Sequence, residues 1–154
     1  MSRIVQTGDT PAKRRHAHMR SCAEVIRLLA QRPELGDGQF DTEAQDMVAF
    51  LAFNLQGMHD TIELSAQAWD DRNYWKKAEA LRARYRWSRL AAGQLEELAL
   101  AGRWNEVPQA LLALIPHFSD VNVQQMTRDS DWWCGALRAL RREVENRKSD
   151  LTLL

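Results

Sequence analysis

The charge of this chain reverses sign abruptly between residues 71 and 72. The segment 33–71 contains nine Asp or Glu and no Lys or Arg, whereas the segment 72–89 contains seven basic residues and a single acidic one, Glu79. No Gly or Pro interrupts the chain between Gly57 and Gly93, so local signals permit a helix throughout this region. We interpret the two segments as an acidic helix that folds back against a basic helix.

A single helix across both segments is excluded by its length. From residue 42 to residue 100 it would approach about 90 Å at 1.5 Å per residue, which is implausible for a small domain. The break is predicted at residues 70–73, because the Asp-Asp-Arg-Asn sequence there contains residues that cap helices. The two halves of the region then form a helical hairpin.

Capping signals and apolar periodicity predict five helices in total. Thr10 before Pro11 begins the first helix, and Thr42 with Gln45 three residues later matches a capping box that begins the second. Gly102 ends the third. The predicted ranges are 10–32, 42–70, 73–101, 105–116 and 130–148, with 117–129 either extended or one more helical turn. The pattern predicts an all-α fold, an antiparallel bundle of four to five helices.

The length and composition indicate one soluble domain over residues 1–154, with flexible tails at 1–9 and 149–154. The chain is 45% hydrophobic and 27% charged, and its formal net charge is zero, so any nucleic-acid site requires a local patch. The two cysteines are isolated, residues 1–10 lack the apolar core typical of a signal peptide, and no apolar run reaches the length of a membrane span. We therefore expect a cytoplasmic protein with no membrane segment.

Histidines of the first and second helices suggest one alternative function. If the first two helices pair, His16 and His18 lie near His59, and Glu63 shares the helix face of His59 because it is four residues further on. Imidazole and carboxylate groups bind divalent metals, so these four residues form a candidate metal site of a metal-binding or metal-dependent bundle. The structural alternative is that these histidines are boundary residues bonded to nearby carboxylates.

Three cations open the first helix, where the helix dipole disfavours positive charge. Lys13, Arg14 and Arg15 should therefore be compensated. A carboxylate of the second helix, with Glu63 nearest to Arg15, is the structural candidate, and we favour it. A bound phosphate or other anion is the functional candidate, since helix amino ends bind anions.

Basic and aromatic residues alternate in the third helix, as they do in proteins that bind single-stranded nucleic acids. Arg82, Arg86 and Arg89 cluster on one helix face and are the candidate nucleic-acid residues. Tyr85 falls on the buried side, however, so the stacking and basic surfaces do not coincide. The acidic helix next to it also accounts for these charges, and nucleic-acid binding is therefore a further alternative.

The leading hypothesis is a non-catalytic bundle that acts by self-association as a homodimer, or by binding another protein. The second helix carries an additional apolar strip, and the chain has six tryptophans. Large aromatic residues are enriched at interfaces, so Phe50, Phe53, Leu64 and Trp132 are the predicted interface residues. No catalytic triad or Gly-rich phosphate loop is visible. No cofactor is predicted, and a divalent metal belongs only to the alternative.

Overall fold

The computed structural model describes residues 9–152, and the predictions for residues 1–8 and 153–154 lie outside this range. It confirms the all-α bundle, because the described residues form helices and loops without a strand. The helices are α1 (Pro11–Ala30), α2 (Thr42–Asp71), α3 (Trp75–Leu100), α4 (Val107–Leu114), α5 (Ser130–Trp133) and α6 (Ala136–Thr152). Short 3₁₀ turns lie at Pro33–Asp37, Trp104–Glu106 and Ile115–Phe118. None of the helices in this range is both long and apolar enough to cross a membrane.

The central element is α2, which packs against α1, α3, α5 and α6. Its 30 residues span about 45 Å. Met47, Leu51, Leu55 and Met58 recur at helical spacing and are fully buried. A helix with neighbours on several sides needs apolar residues around much of its circumference. The second apolar strip of α2 is therefore largely accounted for by packing inside the bundle.

The predicted break between the second and third helices is confirmed. The helix α2 ends at Asp71, and α3 begins at Trp75. Between them Asn73 has a φ of 65°, a left-handed conformation that Asn tolerates better than most residues. The backbone N–H of Tyr74 donates to the carbonyl of Trp69 at 2.9 Å, which closes the turn. The result is the antiparallel hairpin of α2 and α3.

The single helix predicted at 130–148 is wrong in two respects. Gly135, with a φ of 80°, separates α5 from α6. The carboxylate of Asp46 on α2 then accepts the backbone N–H groups of Gly135 at 3.1 Å and Leu137 at 3.0 Å, so a distant residue caps α6. The helix also continues to Thr152, four residues beyond the predicted end at 148.

Residues 119–129 contain no regular element and are fastened to α1 by a buried carboxylate. Glu24 is 0% exposed. Its Oε1 accepts the backbone N–H groups of Thr127 at 2.6 Å and Arg128 at 2.8 Å, and its Oε2 accepts the Thr127 hydroxyl at 2.7 Å. Arg20 donates to the same carboxylate from Nε at 2.7 Å. We call these four residues the Glu24 clamp.

The clamp keeps its carboxylate ionised. Burial raises the pKa of Glu24, but the hydrogen bonds from Thr127, Arg128 and Arg20 outweigh it and bring the pKa down from an ordinary 4.5 to about 2. Arg128 also donates to the Ser21 hydroxyl at 3.0 Å. The negative charge is therefore matched by groups from two parts of the chain.

Candidate association surface

The predicted metal site does not assemble. His16 is exposed, Nδ1 of His18 lies 2.9 Å from Oδ1 of Asn54, and Glu63 accepts Nε of Arg82 at 3.4 Å. Within residues 9–152, no group of three His, Cys, Asp or Glu side chains is placed to hold a metal ion. The prediction is wrong because two of the four side chains, those of His18 and Glu63, have partners of their own.

His18 is instead a packing residue that requires a glycine opposite it. A Cβ atom on Gly57 would lie 2.5 Å from both Cε1 and Nε2 of the imidazole, far inside van der Waals contact. Burial is the main cause that lowers the pKa of His18, and the hydrogen bond with Asn54 opposes it only in part. We therefore expect His18 to be neutral at pH 7. Its partner is an amide, not the carboxylate that the structural alternative predicted.

The three cations that open α1 do not converge on one site. Lys13 is exposed, and its backbone N–H donates to the Thr10 hydroxyl at 3.2 Å. Arg15 donates to the Ser65 hydroxyl at 3.4 Å and its guanidinium lies 5.9 Å from the Tyr85 ring centroid. Arg14 buries an Nε that has no hydrogen-bond partner among the described residues. The predicted pair between Arg15 and a carboxylate of α2 is wrong.

The Glu63 carboxylate instead pairs with Arg82, an arginine that joins α3 to α2. The Arg82 guanidinium donates to Asp70 at 2.9 Å, to Glu79 at 2.8 Å and to Glu63 at 3.4 Å. These contacts raise the pKa of Arg82, the hydrogen bond with Asp70 contributing most. Every guanidinium nitrogen has an acidic partner, so Arg82 is not free to bind a phosphate. The predicted nucleic-acid set therefore loses one of its three members.

The other two members, Arg86 and Arg89, are exposed and form no ion pair with any residue between 9 and 152. They lie in a groove of about 300 Å³ between α2 and α3, which we call the arginine groove. A second groove of about 390 Å³ lies between α3 and α4, with Trp87 stacked on His117 at a centroid distance of 3.9 Å; we call it the apolar groove. Leu90 borders both grooves and is 68% exposed.

The predicted interface residues divide into internal and exposed ones. Phe50 is 1% exposed and lies 6.4 Å, between ring centroids, from Trp132, so its assignment to a surface is wrong. Phe53 and Trp132 are half-buried and pack against the core. Leu64 remains exposed at 49%. Sequence reasoning missed Leu90, although its position outside the apolar periodicity of α3 was a usable signal.

Leu64 and Leu90 have similar neighbours of opposite charge. Asp60 precedes Leu64 by one helical turn on α2, and Arg86 precedes Leu90 by one turn on α3. We call these four residues, together with Arg89, the hairpin face. Each helix therefore presents a charged residue and a leucine to solvent at the same spacing.

Comparison of the chain with protein-family models, with curated proteins and with solved structures finds no match. Function must therefore be inferred from the geometry of these residues.

Proposed function

We propose that this protein is a non-catalytic association module that forms a homodimer through the hairpin face. The observation that carries the proposal is the position of Leu90. This side chain is 68% exposed on the common border of two grooves, and the two neighbouring arginines, Arg86 and Arg89, have no acidic partner in the described chain. A second molecule that covers Leu90 would remove an apolar side chain from water and fill both grooves.

The directions of the helices favour a second copy as the occupant. Because α2 and α3 run antiparallel from one turn, a two-fold axis that lies in the contact plane and runs along the hairpin places α2 of one copy over α3 of the other. In that arrangement Asp60 meets Arg86 of the second copy, because each lies thirteen residues from Asn73 in the turn, and Leu64 and Leu90 lie on either side of this pair. Symmetry produces each contact twice.

The distribution of charge also favours a second copy over a polyanion. The chain has 21 basic and 21 acidic residues, with acidic side chains concentrated on α2 and basic ones on the first part of α3. Three carboxylates surround Arg82 beside the arginine groove, and they would repel a nucleic acid. A symmetric partner instead offers its own Asp60 to Arg86 and Arg89.

Native mass spectrometry and light scattering of the purified protein test the proposal. We expect the wild type at twice the monomer mass of 17.8 kDa. Leu90→Glu should dissociate the dimer by placing a charge in the apolar contact. Leu112→Glu is the matched control, because Leu112 is 66% exposed on α4 but lines neither groove, and that variant should remain dimeric.

A charge exchange tests the register of the two copies. Asp60→Arg and Arg86→Asp should each weaken the dimer, since each creates like-charge pairs across the interface. The double variant restores opposite charges and should recover a dissociation constant within about threefold of wild type. A wild type that stays monomeric at high micromolar concentration contradicts the proposal. A dimer that survives Leu90→Glu contradicts the assigned surface.

A further inference from the structure

We infer that a pocket between α1 and residues 115–123 binds a small molecule with an apolar body and a carboxylate head. The pocket has a volume of about 600 Å³, within the range of roughly 300–1,000 Å³ that is usual for small-molecule sites. It shares no residue with the hairpin face, so this inference stands or falls independently of the proposed dimer.

The floor of the pocket is apolar. Ala23 and Ile26 of α1 and Phe118 of the last 3₁₀ turn are 9%, 7% and 6% exposed, and they face the pocket together with Val121 and Val123. A hydrocarbon group placed there would contact aliphatic and aromatic surface and displace water from it. The floor therefore selects the apolar body of the ligand.

The rim supplies a positioned cation. Arg27 lines the pocket, and its Nη1 donates to the carbonyl of Val123 at 2.8 Å. This contact orients the guanidinium, while within residues 9–152 no carboxylate pairs with it and its other terminal nitrogen has no hydrogen-bond partner. Asp120 also lines the pocket, but no contact within residues 9–152 holds its side chain in place. The oriented arginine therefore favours a carboxylate over an amine.

The wall of the pocket is held in place before any ligand arrives. Arg20 donates to the carbonyl of Asn122 at 3.4 Å and to the carbonyl of Gln125, and the Glu24 clamp fixes the chain at residues 127 and 128. A preformed site avoids the entropic cost of ordering a loop on binding. We therefore expect binding without a change in helix content.

Titration calorimetry of the full chain with decanoate, below its micelle concentration, tests the inference. Ala30→Trp places an indole at the mouth of the pocket from an exposed position at the end of α1, and it should abolish binding. Arg27→Gln removes the charge and should raise the dissociation constant about tenfold. The matched controls are Ala68→Trp and Arg138→Gln, both at exposed positions outside the pocket, and each should bind as the wild type does.

Three outcomes would overturn the inference. The first is that decanoate fails to bind the wild type at submillimolar concentration. The second is that Ala30→Trp and Arg27→Gln, with wild-type melting temperatures, bind decanoate unchanged. The third is that decylamine binds more tightly than decanoate, which would assign the recognition to Asp120 and contradict the carboxylate class.

Discussion

Replacing Glu24 with Gln should remove a large part of the stability of the fold. The carboxylate accepts four hydrogen bonds at zero exposure, and its pKa falls from 4.5 to about 2 on folding. That difference corresponds to about 3 kcal/mol of stabilisation at pH 7. In Glu24→Gln the amide oxygen can keep the two backbone N–H donors of Oε1, but the N–H₂ group then replaces Oε2 and faces the Nε–H of Arg20, so we expect a loss of at least about 3 kcal/mol in the free energy of unfolding.

The pH dependence gives the sharper test. Because folding lowers the pKa of Glu24, its contribution is complete above about pH 4.5 and is lost as the pH falls towards about 2. Other carboxylates titrate in the same window, so the informative quantity is the difference between wild type and variant. Urea unfolding followed by circular dichroism should show this difference shrinking by about 3 kcal/mol between pH 6 and pH 2.

A matched control separates the clamp from a general effect of removing a carboxylate. Glu145→Gln changes an exposed residue of α6 that makes no ion pair with the described chain, and it should alter the stability by less than about 0.5 kcal/mol. If Glu24→Gln were as stable as wild type at pH 7, or if the difference did not change with pH, our account of the clamp would be refuted.

Two further predictions concern contacts that join distant parts of the chain. Gly57→Ala should destabilise the fold by about 1–3 kcal/mol through its clash with His18, and urea titration should show a neutral or stabilising effect when His18→Ala is also present. An equal loss in both backgrounds would contradict the clash. Asp46→Asn should weaken the cap of α6 by about 1 kcal/mol and speed amide hydrogen exchange at Leu137. Unchanged exchange there would show that the cap contributes little.

The helices were predictable where the determining signals are local. Thr10 accepts the backbone N–H of Lys13, as the sequence predicted, and the turn at residues 72–74 overlaps the predicted break at 70–73. The break at Gly135 was missed, because the apolar spacing continues on both sides of it. The carboxylate that caps the start of α6 there belongs to Asp46, almost ninety residues earlier.

The buried polar groups were not predictable for the same reason. Glu24 lies four residues after Arg20, which is the spacing of an ordinary surface ion pair on a helix. Only its bonds to Thr127 and Arg128 make it a core residue, and no local pattern connects positions so far apart. Leu64 is exposed, whereas Phe50, which belongs to the same apolar strip of α2, is buried, so the spacing on α2 alone does not distinguish the two.

The long sequence separation of the Glu24 clamp has a consequence for synthesis on the ribosome. Glu24 and Thr127 are 103 residues apart, so at roughly 5–20 residues per second the carboxylate waits roughly 5–20 s for its partners. During that interval α1 can pair with α2, but Glu24 and the apolar side chains near it are uncovered. The nascent chain thus passes through a stage in which chaperones could recognise this strip of α1.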